Sequence, residues 1–218
     1  MSRIGLLAAL LLIPVAAVAQ TPLAAPGQPG WTPAGKDCFV WNRSPAAGET
    51  AVWSGPCVDH HGNGKGVLVW TNSGGEQRYE GELRDGRLNG FGKYAFSSTQ
   101  RYEGSFKDDD FDGKGTFVEP GVRFEGTWRA GRKEGPGVLT TMNGDRYEGE
   151  FKDDQFNGTG TLLLSDGRKY QGLFHNGRPN GAGTMTDPSG TYTGTWIEGC
   201  FKDATRRTSL GVDPTSCK

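Results

Sequence analysis

The sequence predicts an all-β protein built from repeated antiparallel hairpins and closed by a disulfide at each end. Three observations carry this expectation. Glycine supplies 36 of the 218 residues, against roughly 7% in an average protein. An aromatic-x-Gly triplet recurs seven times at spacings of 22 to 26 residues. The four cysteines fall at the two ends of that repeated region, Cys38 and Cys57 at one and Cys200 and Cys217 at the other.

Composition narrows the class. Apolar residues make up only 34% of the chain, yet 6 Trp, 6 Tyr and 11 Phe are too many for a solvated, disordered polymer. This describes an ordered, thin, turn-rich protein rather than an enzyme with a deep core. Lys and Arg number 24 against 25 Asp and Glu, for a formal charge of −1. That balance lacks the basic excess needed to bind a phosphate backbone, so no nucleic acid partner is expected.

Residues 1–19 read as a secretory signal peptide. Arg3 precedes an apolar run from Ile4 to Ala19, and Ala17-Val18-Ala19 forms a small-x-small cleavage site before Gln20. With Pro14 inside it, the run falls short of the ~20 apolar residues of a membrane span, so no transmembrane helix is expected in the mature chain. The protein is expected to be secreted or periplasmic after cleavage at about Ala19/Gln20. Residues 20–36, with Pro22, Pro26, Pro29 and Pro33, read as a flexible leader. An N-terminal cap at 37–52, a repeat array at 53–201 and a C-terminal cap or tail at 202–218 complete the organisation.

Within the array each unit is counted from its aromatic residue as offset 0: Trp53, Tyr79, Tyr102, Phe124, Tyr147, Tyr170 and Tyr192. Offset 4 holds Cys57, Leu83, Phe106, Trp128, Phe151, Phe174 and Trp196, and offset 15 holds Leu68, Tyr94, Phe117, Leu139, Leu162 and Met185. Glycine recurs at offsets 2, 11 and 13. Tyr147-Glu148-Gly149-Glu150-Phe151-Lys152 alternates apolar or glycine with polar residues, the period of a half-buried strand. A glycine-rich loop and a second strand at about offsets 13–18 complete a hairpin. Turn pairs such as Asn143-Gly144 and Asp166-Gly167 then lead to the next unit. Offset 7 is glycine in four units but Asp109 and Asp154 in two, which predicts a left-handed residue in that loop.

These units resemble MORN (membrane occupation and recognition nexus) repeats. Tyr79-Glu80-Gly81-Glu82-Leu83 with Gly90-Phe91-Gly92 fits that pattern, as does Tyr147-Glu148-Gly149-Glu150-Phe151 with Gly158-Thr159-Gly160. Six full copies and a truncated seventh span about 53–201. The resemblance implies an elongated, twisted antiparallel ribbon that serves as a scaffold or binding surface, with lipid binding attributed to some members. It implies no shared catalytic residues. In a single-layer ribbon, glycines at offsets 2, 11 and 13 would let the rings at offsets 0, 4 and 15 lie over bare backbone. A hairpin cannot bury its face alone, so stacking on the next unit completes the core.

Four cysteines in an exported chain predict two disulfides, with three possible connectivities. Cys57 and Cys200 are six hairpins apart, about 58 Å at ~4.8 Å per strand, far beyond the ~7 Å limit for a bridge. In an open ribbon only Cys38–Cys57 and Cys200–Cys217 remain. Each contributes about 3 kcal/mol and pins a cap over an exposed sheet edge.

Charged residues form rows. Arg78, Arg101, Arg123, Arg146 and Lys169 occupy offset −1, Glu80, Glu103, Glu125, Glu148 and Gln171 occupy offset 1, and Arg84, Lys107, Arg129, Lys152 and His175 occupy offset 5. All three rows belong on the face opposite the rings, where basic, acidic and basic rows side by side neutralise one another. The alternative use of the basic rows is to follow a phospholipid or glycan surface. The expected contact surface is the glycine-rich loop edge plus any aromatic groove left open, including Trp128 and Trp196. Asp108, Asp110, Asp112 and Glu119 match EF-hand calcium-ligand spacing with Gly113 at the sixth position. The repeat frame already accounts for Gly113, and no flanking helices are expected. No Gly-x-Ser-x-Gly elbow or His-Glu-x-x-His pair is present, so no catalytic site and no cofactor are expected. The function these features point to is a non-catalytic scaffold for protein–protein interaction in the cell envelope. The alternatives are a phospholipid- or glycan-binding module and, more remotely, a calcium-binding repeat protein.

Overall fold

The computed structural model describes residues 29–202 and 207–217. The expected signal segment 1–19, its expected cleavage point and the expected leader up to residue 28 lie outside the described residues. Among those described, the chain is β-structure throughout apart from one 3-10 turn at Pro214–Ser216. The N-terminal cap is a four-stranded sheet of β1 (Gly30–Gly35) and β2 (Cys38–Asn42) with, after β3 (Thr50–Trp53), the short β4 (Cys57–Val58) and β5 (His61–Gly62). Its order is β1-β2-β5-β4. The fifteen remaining strands form one open antiparallel sheet in which neighbours in sequence are neighbours in space. From β3 it passes through β6 (Gly64–Asn72), β7 (Gly75–Arg84), β8 (Arg87–Ala95), β9 (Arg101–Lys107), β10 (Asp110–Glu119) and β11 (Val122–Arg129). It continues through β12 (Arg132–Thr141), β13 (Arg146–Lys152), β14 (Gln155–Leu163), β15 (Lys169–His175), β16 (Arg178–Asp187) and β17 (Gly190–Ile197). The ribbon ends with β18 (Cys200–Lys202) and β19 (Arg207–Ser209).

Two boundaries differ from the sequence reading. Gly30–Gly35 was expected in the leader but is strand β1, with Pro33 opposite Phe39. Proline is tolerated there because β1 is an edge strand, where a missing N–H leaves no ladder partner unsatisfied. The first repeat is also interrupted: Cys57 leaves the ribbon and joins the cap sheet, where it bonds to Cys38 with the Cα atoms 5.9 Å apart. Cys200 and Cys217 close the other end with Cα atoms 5.5 Å apart. Both expected pairings are present.

The aromatic columns form the core. Tyr79, Tyr102, Phe124, Tyr147 and Tyr170 at offset 0 are buried, as are Leu83, Phe106, Trp128, Phe151, Phe174 and Trp196 at offset 4. The offset 15 column is buried only at its ends, at Leu68 and Met185. In between, Tyr94, Phe117, Leu139 and Leu162 are partly open. Rings meet edge to face along the ribbon, as where Tyr147 contacts Phe151 and Phe174, both at 5.1 Å. Where offset 9 is Phe, it stacks flat on the offset 0 ring: Phe156 lies 3.7 Å from Tyr147 and Phe111 3.8 Å from Tyr102.

Glycine serves two different purposes. Those at offsets 2 and 13 pair strand to strand, as in Gly104↔Gly115, Gly115↔Gly126, Gly126↔Gly137 and Gly137↔Gly149, and form a lane across the sheet. The offset 0 rings lie on this lane, and a Cβ at Gly115 would come within 2.2 Å of the Tyr102 hydroxyl oxygen. The offset 11 glycines answer a backbone demand instead. Gly90, Gly113, Gly135, Gly158 and Gly181 all have positive φ. They sit where the register slips, as between Gly149 and Glu150 of β13 against β14. This β-bulge bends each hairpin. The bend brings the tyrosine hydroxyl to the offset 3 carbonyl: Tyr79 donates to Glu82 at 2.9 Å, Tyr102 to Ser105 at 3.0 Å and Tyr147 to Glu150 at 2.8 Å.

Hairpin tips are two-residue turns with positive φ at both positions, among them Asp85-Gly86, Asp108-Asp109, Asp153-Asp154 and Asn176-Gly177. That is the turn type whose twist suits a hairpin, and it carries the left-handed Asp109 and Asp154 the sequence predicts. Each tip is stitched to the unit before it. The N–H groups of Asp109, Gly131, Asp154, Gly177 and Gly199 donate to the carbonyls of Leu88, Phe111, Lys133, Phe156 and Pro179 at 2.8–3.1 Å. Asp109 and Asp154 add a second bond, their carboxylates accepting from the N–H of Leu88 at 2.8 Å and of Lys133 at 3.0 Å.

Candidate functional site

The face opposite the rings carries a trough of about 740 Å³ across the glycine lane. Its floor includes Gly104, Gly115, Gly126, Gly137 and Gly149, and its walls are the side chains standing on either side of them. One wall holds Glu103, Thr116, Glu125, Val138 and Glu148, and the other holds Phe91, Lys114, Thr127, Pro136, Glu150 and Thr159. The trough spans strands β8 to β14, roughly 29 Å at ~4.8 Å per strand. A second hollow of about 650 Å³ shares Phe91 and extends the first across β6, β7 and β8. Phe91, where the two meet, is 62% exposed.

The charged rows stand on this face as expected. Arg123 pairs with Glu125 at 2.7 Å, Arg146 with Glu148 at 2.7 Å and Arg78 with Glu80 at 3.7 Å. These three arginines are each matched by the carboxylate two residues on.

The other expected site residues take different positions. Trp128 and Trp196 are 5% and 0% exposed. Trp128 packs against Phe124 at 5.1 Å, and Trp196 lies between Tyr170 at 5.1 Å and Phe201 at 5.3 Å. Both are core residues rather than contacts of an open groove, because the bent hairpins close over them. The calcium-ligand loop does not assemble. Asp108 and Asp109 form the β9–β10 turn, and Asp110 to Glu119 is strand β10, which separates those two residues by about 30 Å at ~3.3 Å per residue. Asp110 pairs with Arg43 at 2.6 Å, Asp112 accepts from the Ala130 N–H at 3.2 Å, and Glu119 accepts from Gln100 at 3.4 Å. Among the described residues no group of three or more His, Cys, Asp or Glu side chains could hold a metal ion. The ligand spacing arises because acidic residues recur at the hairpin tip and beside the bulge glycine.

A family model described as the MORN repeat matches residues 61–75, 79–101, 102–118, 124–146, 147–167 and 170–192, together more than half the chain. The chain belongs to the MORN-repeat family. No curated protein matches it with significance. MORN repeats are interaction repeats, directed at proteins or membrane lipids, and the family is typically non-enzymatic. The first matched segment begins at His61, beyond the point where Cys57 leaves the ribbon. Both disulfides fit an oxidising, extracytoplasmic setting. Among the described residues no helix is long and apolar enough to cross a membrane. Sequence reasoning missed the trough walls at offsets 12 and 14. The available signal was the exposed Phe91 and the half-buried Val138 standing beside paired glycines, but recognising it requires the strand register.

Proposed function

We propose that this MORN-repeat protein is a non-catalytic scaffold of the cell envelope that holds a protein partner along the glycine-floored trough. Residues 1–19 act as its signal peptide, cleaved at about Ala19/Gln20, and the mature chain is secreted or periplasmic. The trough supports this reading: an elongated concavity across seven strands, with both charge signs and apolar groups on its walls, suits the mixed surface of a protein. The carboxylate partners of Arg78, Arg123 and Arg146 speak against an anionic membrane as the main target of these three residues. The trough walls lack histidine and cysteine.

The test is crosslinking in the native envelope followed by pull-down with tagged mature protein, comparing wild type, Thr127→Arg and Met142→Arg. Thr127 lines the trough, whereas Met142 is exposed at a turn outside it. The expected result is one recurrent stoichiometric protein, lost with Thr127→Arg and kept with Met142→Arg. Equal recovery by all three chains would remove the trough as the contact surface. Recovery of phospholipid with no enriched protein would overturn the scaffold reading.

A further inference from the structure

The trough walls carry an acidic excess. Glu103, Glu125, Glu148 and Glu150 stand on them against Lys114, and the arginines of the flanking rows lie outside. The adjoining hollow adds two carboxylates and two ammonium groups, which leaves that excess unchanged. Glu103, Glu125 and Glu148 each have a cation beside them: Lys93 at 3.2 Å, Arg123 at 2.7 Å and Arg146 at 2.7 Å. The three glutamate side chains are nevertheless 52–65% exposed. Exposed pairs of this kind hold weakly, and a carboxylate with about four acceptor sites can take a second cation beside the first. A partner in the trough therefore gains most by presenting cations. Phe91, exposed where the two hollows meet, adds an apolar seat at one end.

The spacing and section of the trough select the shape of that partner. Glu103, Glu125 and Glu148 stand on β9, β11 and β13, so each is two strand spacings, ~9.6 Å, from the next. A β-strand points residues to one side every ~6.6 Å, twice its rise, and is out of step by the second glutamate. A polyproline II helix has three residues per turn at ~3.1 Å each, so every third side chain returns to one side after ~9.3 Å. From Glu103 to Glu148 the accumulated difference is about 0.6 Å, which a lysine or arginine stem absorbs. A volume of about 740 Å³ along ~29 Å leaves a section of roughly 26 Å², about 5 Å each way. That admits an extended backbone and excludes an α-helix, which is ~10–12 Å across. Polyproline II makes no internal hydrogen bonds, and the Thr116 and Thr127 hydroxyls on the walls supply donors to its carbonyls. The chain's own proline-rich segment 20–28 is not the occupant, because it contains no Lys or Arg.

We propose that the trough binds a polyproline II segment of its protein partner that carries Lys or Arg at every third residue. Glu103, Glu125 and Glu148 receive successive cations, and an apolar residue beside the first cation rests on Phe91. This inference deepens the trough reading and rests on it.

The test titrates the full mature chain by isothermal calorimetry with three synthetic peptides of equal length: (Pro-Pro-Lys)₄, its isomer with the four lysines consecutive, and (Pro-Pro-Glu)₄. The spaced lysine peptide is expected to bind saturably and about tenfold tighter than its isomer, the worth of two or three exposed ion pairs. Its affinity falls as salt rises, and the glutamate peptide does not bind. Glu103→Gln, Glu125→Gln and Glu148→Gln together weaken the spaced peptide by about tenfold and remove its advantage over the isomer. Phe91→Ala weakens it by about threefold to tenfold and carries the test if the triple variant does not fold. Equal binding of the two lysine isomers, tighter binding of the glutamate peptide, no saturable binding, or wild-type affinity in both variants overturns the proposal. Failure of these peptides while Thr127→Arg still loses the envelope partner removes this chemistry and leaves the trough reading standing. Retention of the envelope partner by Thr127→Arg removes the trough reading and this inference with it.

Discussion

Gly160→Ala tests the dependence of the ring column on the glycine lane. A Cβ at position 160 would lie 2.5 Å from the Tyr147 hydroxyl oxygen, 2.6 Å from Cε2 and 2.7 Å from Cζ. Ordinary carbon contacts are ~3.5–4.0 Å, so the ring must retreat by about 1 Å. It has little room: Phe156 stacks on it at 3.7 Å, and Phe151 and Phe174 press their edges on it at 5.1 Å. Overpacking of this kind costs about 1–3 kcal/mol. Drawing the hydroxyl away from the Glu150 carbonyl, now at 2.8 Å, costs about 1 kcal/mol more. The expected loss is therefore about 2–4 kcal/mol, opposite in sign to the ~0.4–1 kcal/mol that Gly→Ala gains where the backbone conformation allows it. Gly35→Ala is the matched control, because its added Cβ would meet only Cys38 Cβ at an ordinary 3.7 Å. Urea unfolding should show a lower midpoint at unchanged m for Gly160→Ala, with Tm lower by about 5–15 °C. A folded Gly160→Ala chain within about 0.5 kcal/mol of wild type would refute the argument that the ring column is why glycine is required there.

Three further outcomes follow from the same geometry. Burial raises the hydroxyl pKa of Tyr79, Tyr94, Tyr102, Tyr147 and Tyr170, the last to about 12. The stability this confers is complete below the unfolded value of ~10 and is lost as pH rises from there through the folded values. Phenolate absorbance should thus appear together with loss of β-sheet circular dichroism, and five phenolates forming near pH ~10 in an intact sheet would contradict the burial. Asp109→Ala removes the acceptor of the Leu88 N–H and the Arg87 ion pair, and leaves an unsuited residue at φ 73°. It should cost about 2–3 kcal/mol in urea unfolding, and Asp109→Gly, which tolerates that φ, about 1 kcal/mol less. Replacing Cys200 and Cys217 together by Ala should cost about 3 kcal/mol. Hydrogen exchange should speed up in β17 to β19 while β9 to β13 stay protected, and uniform acceleration along the ribbon would show that the tail is not a local clamp.

Much of the fold was legible because the repeat supplied many copies of the same evidence. A buried column at offset 0 or a left-handed Asp109 can be read from period and residue type alone, since each unit constrains the others. The cysteine pairing was legible for a geometric reason, the width of a sheet. Features that occur once were harder. Pro33 signals an extended chain equally well in a free leader and in an edge strand, and only the pairing of Thr32 with Val40 and Pro33 with Phe39 decides between them. Asp108 to Glu119 carries a ligand spacing, but spacing along the chain becomes proximity only if the segment loops, and here it extends. The glycines of offset 11 looked like those of offset 13 two residues later, although one answers a bulge and the other a ring. The hollow bordered by Trp41, Trp70 and Tyr94 was out of reach, because Trp41 of β2 meets the ribbon residues Trp70 and Tyr94 only once the cap has docked.

The bond from each hairpin tip to the carbonyl of the unit before it recurs without regard to what the side chains are. This makes the ribbon a graduated ruler. Equivalent positions such as Lys114, Pro136 and Thr159 advance by two strand spacings, ~9.6 Å, so a molecule lying along them must present its own groups at that step. A chain with one unit more or fewer would keep both disulfide-locked ends and shift whatever is tethered at the far one by a single graduation.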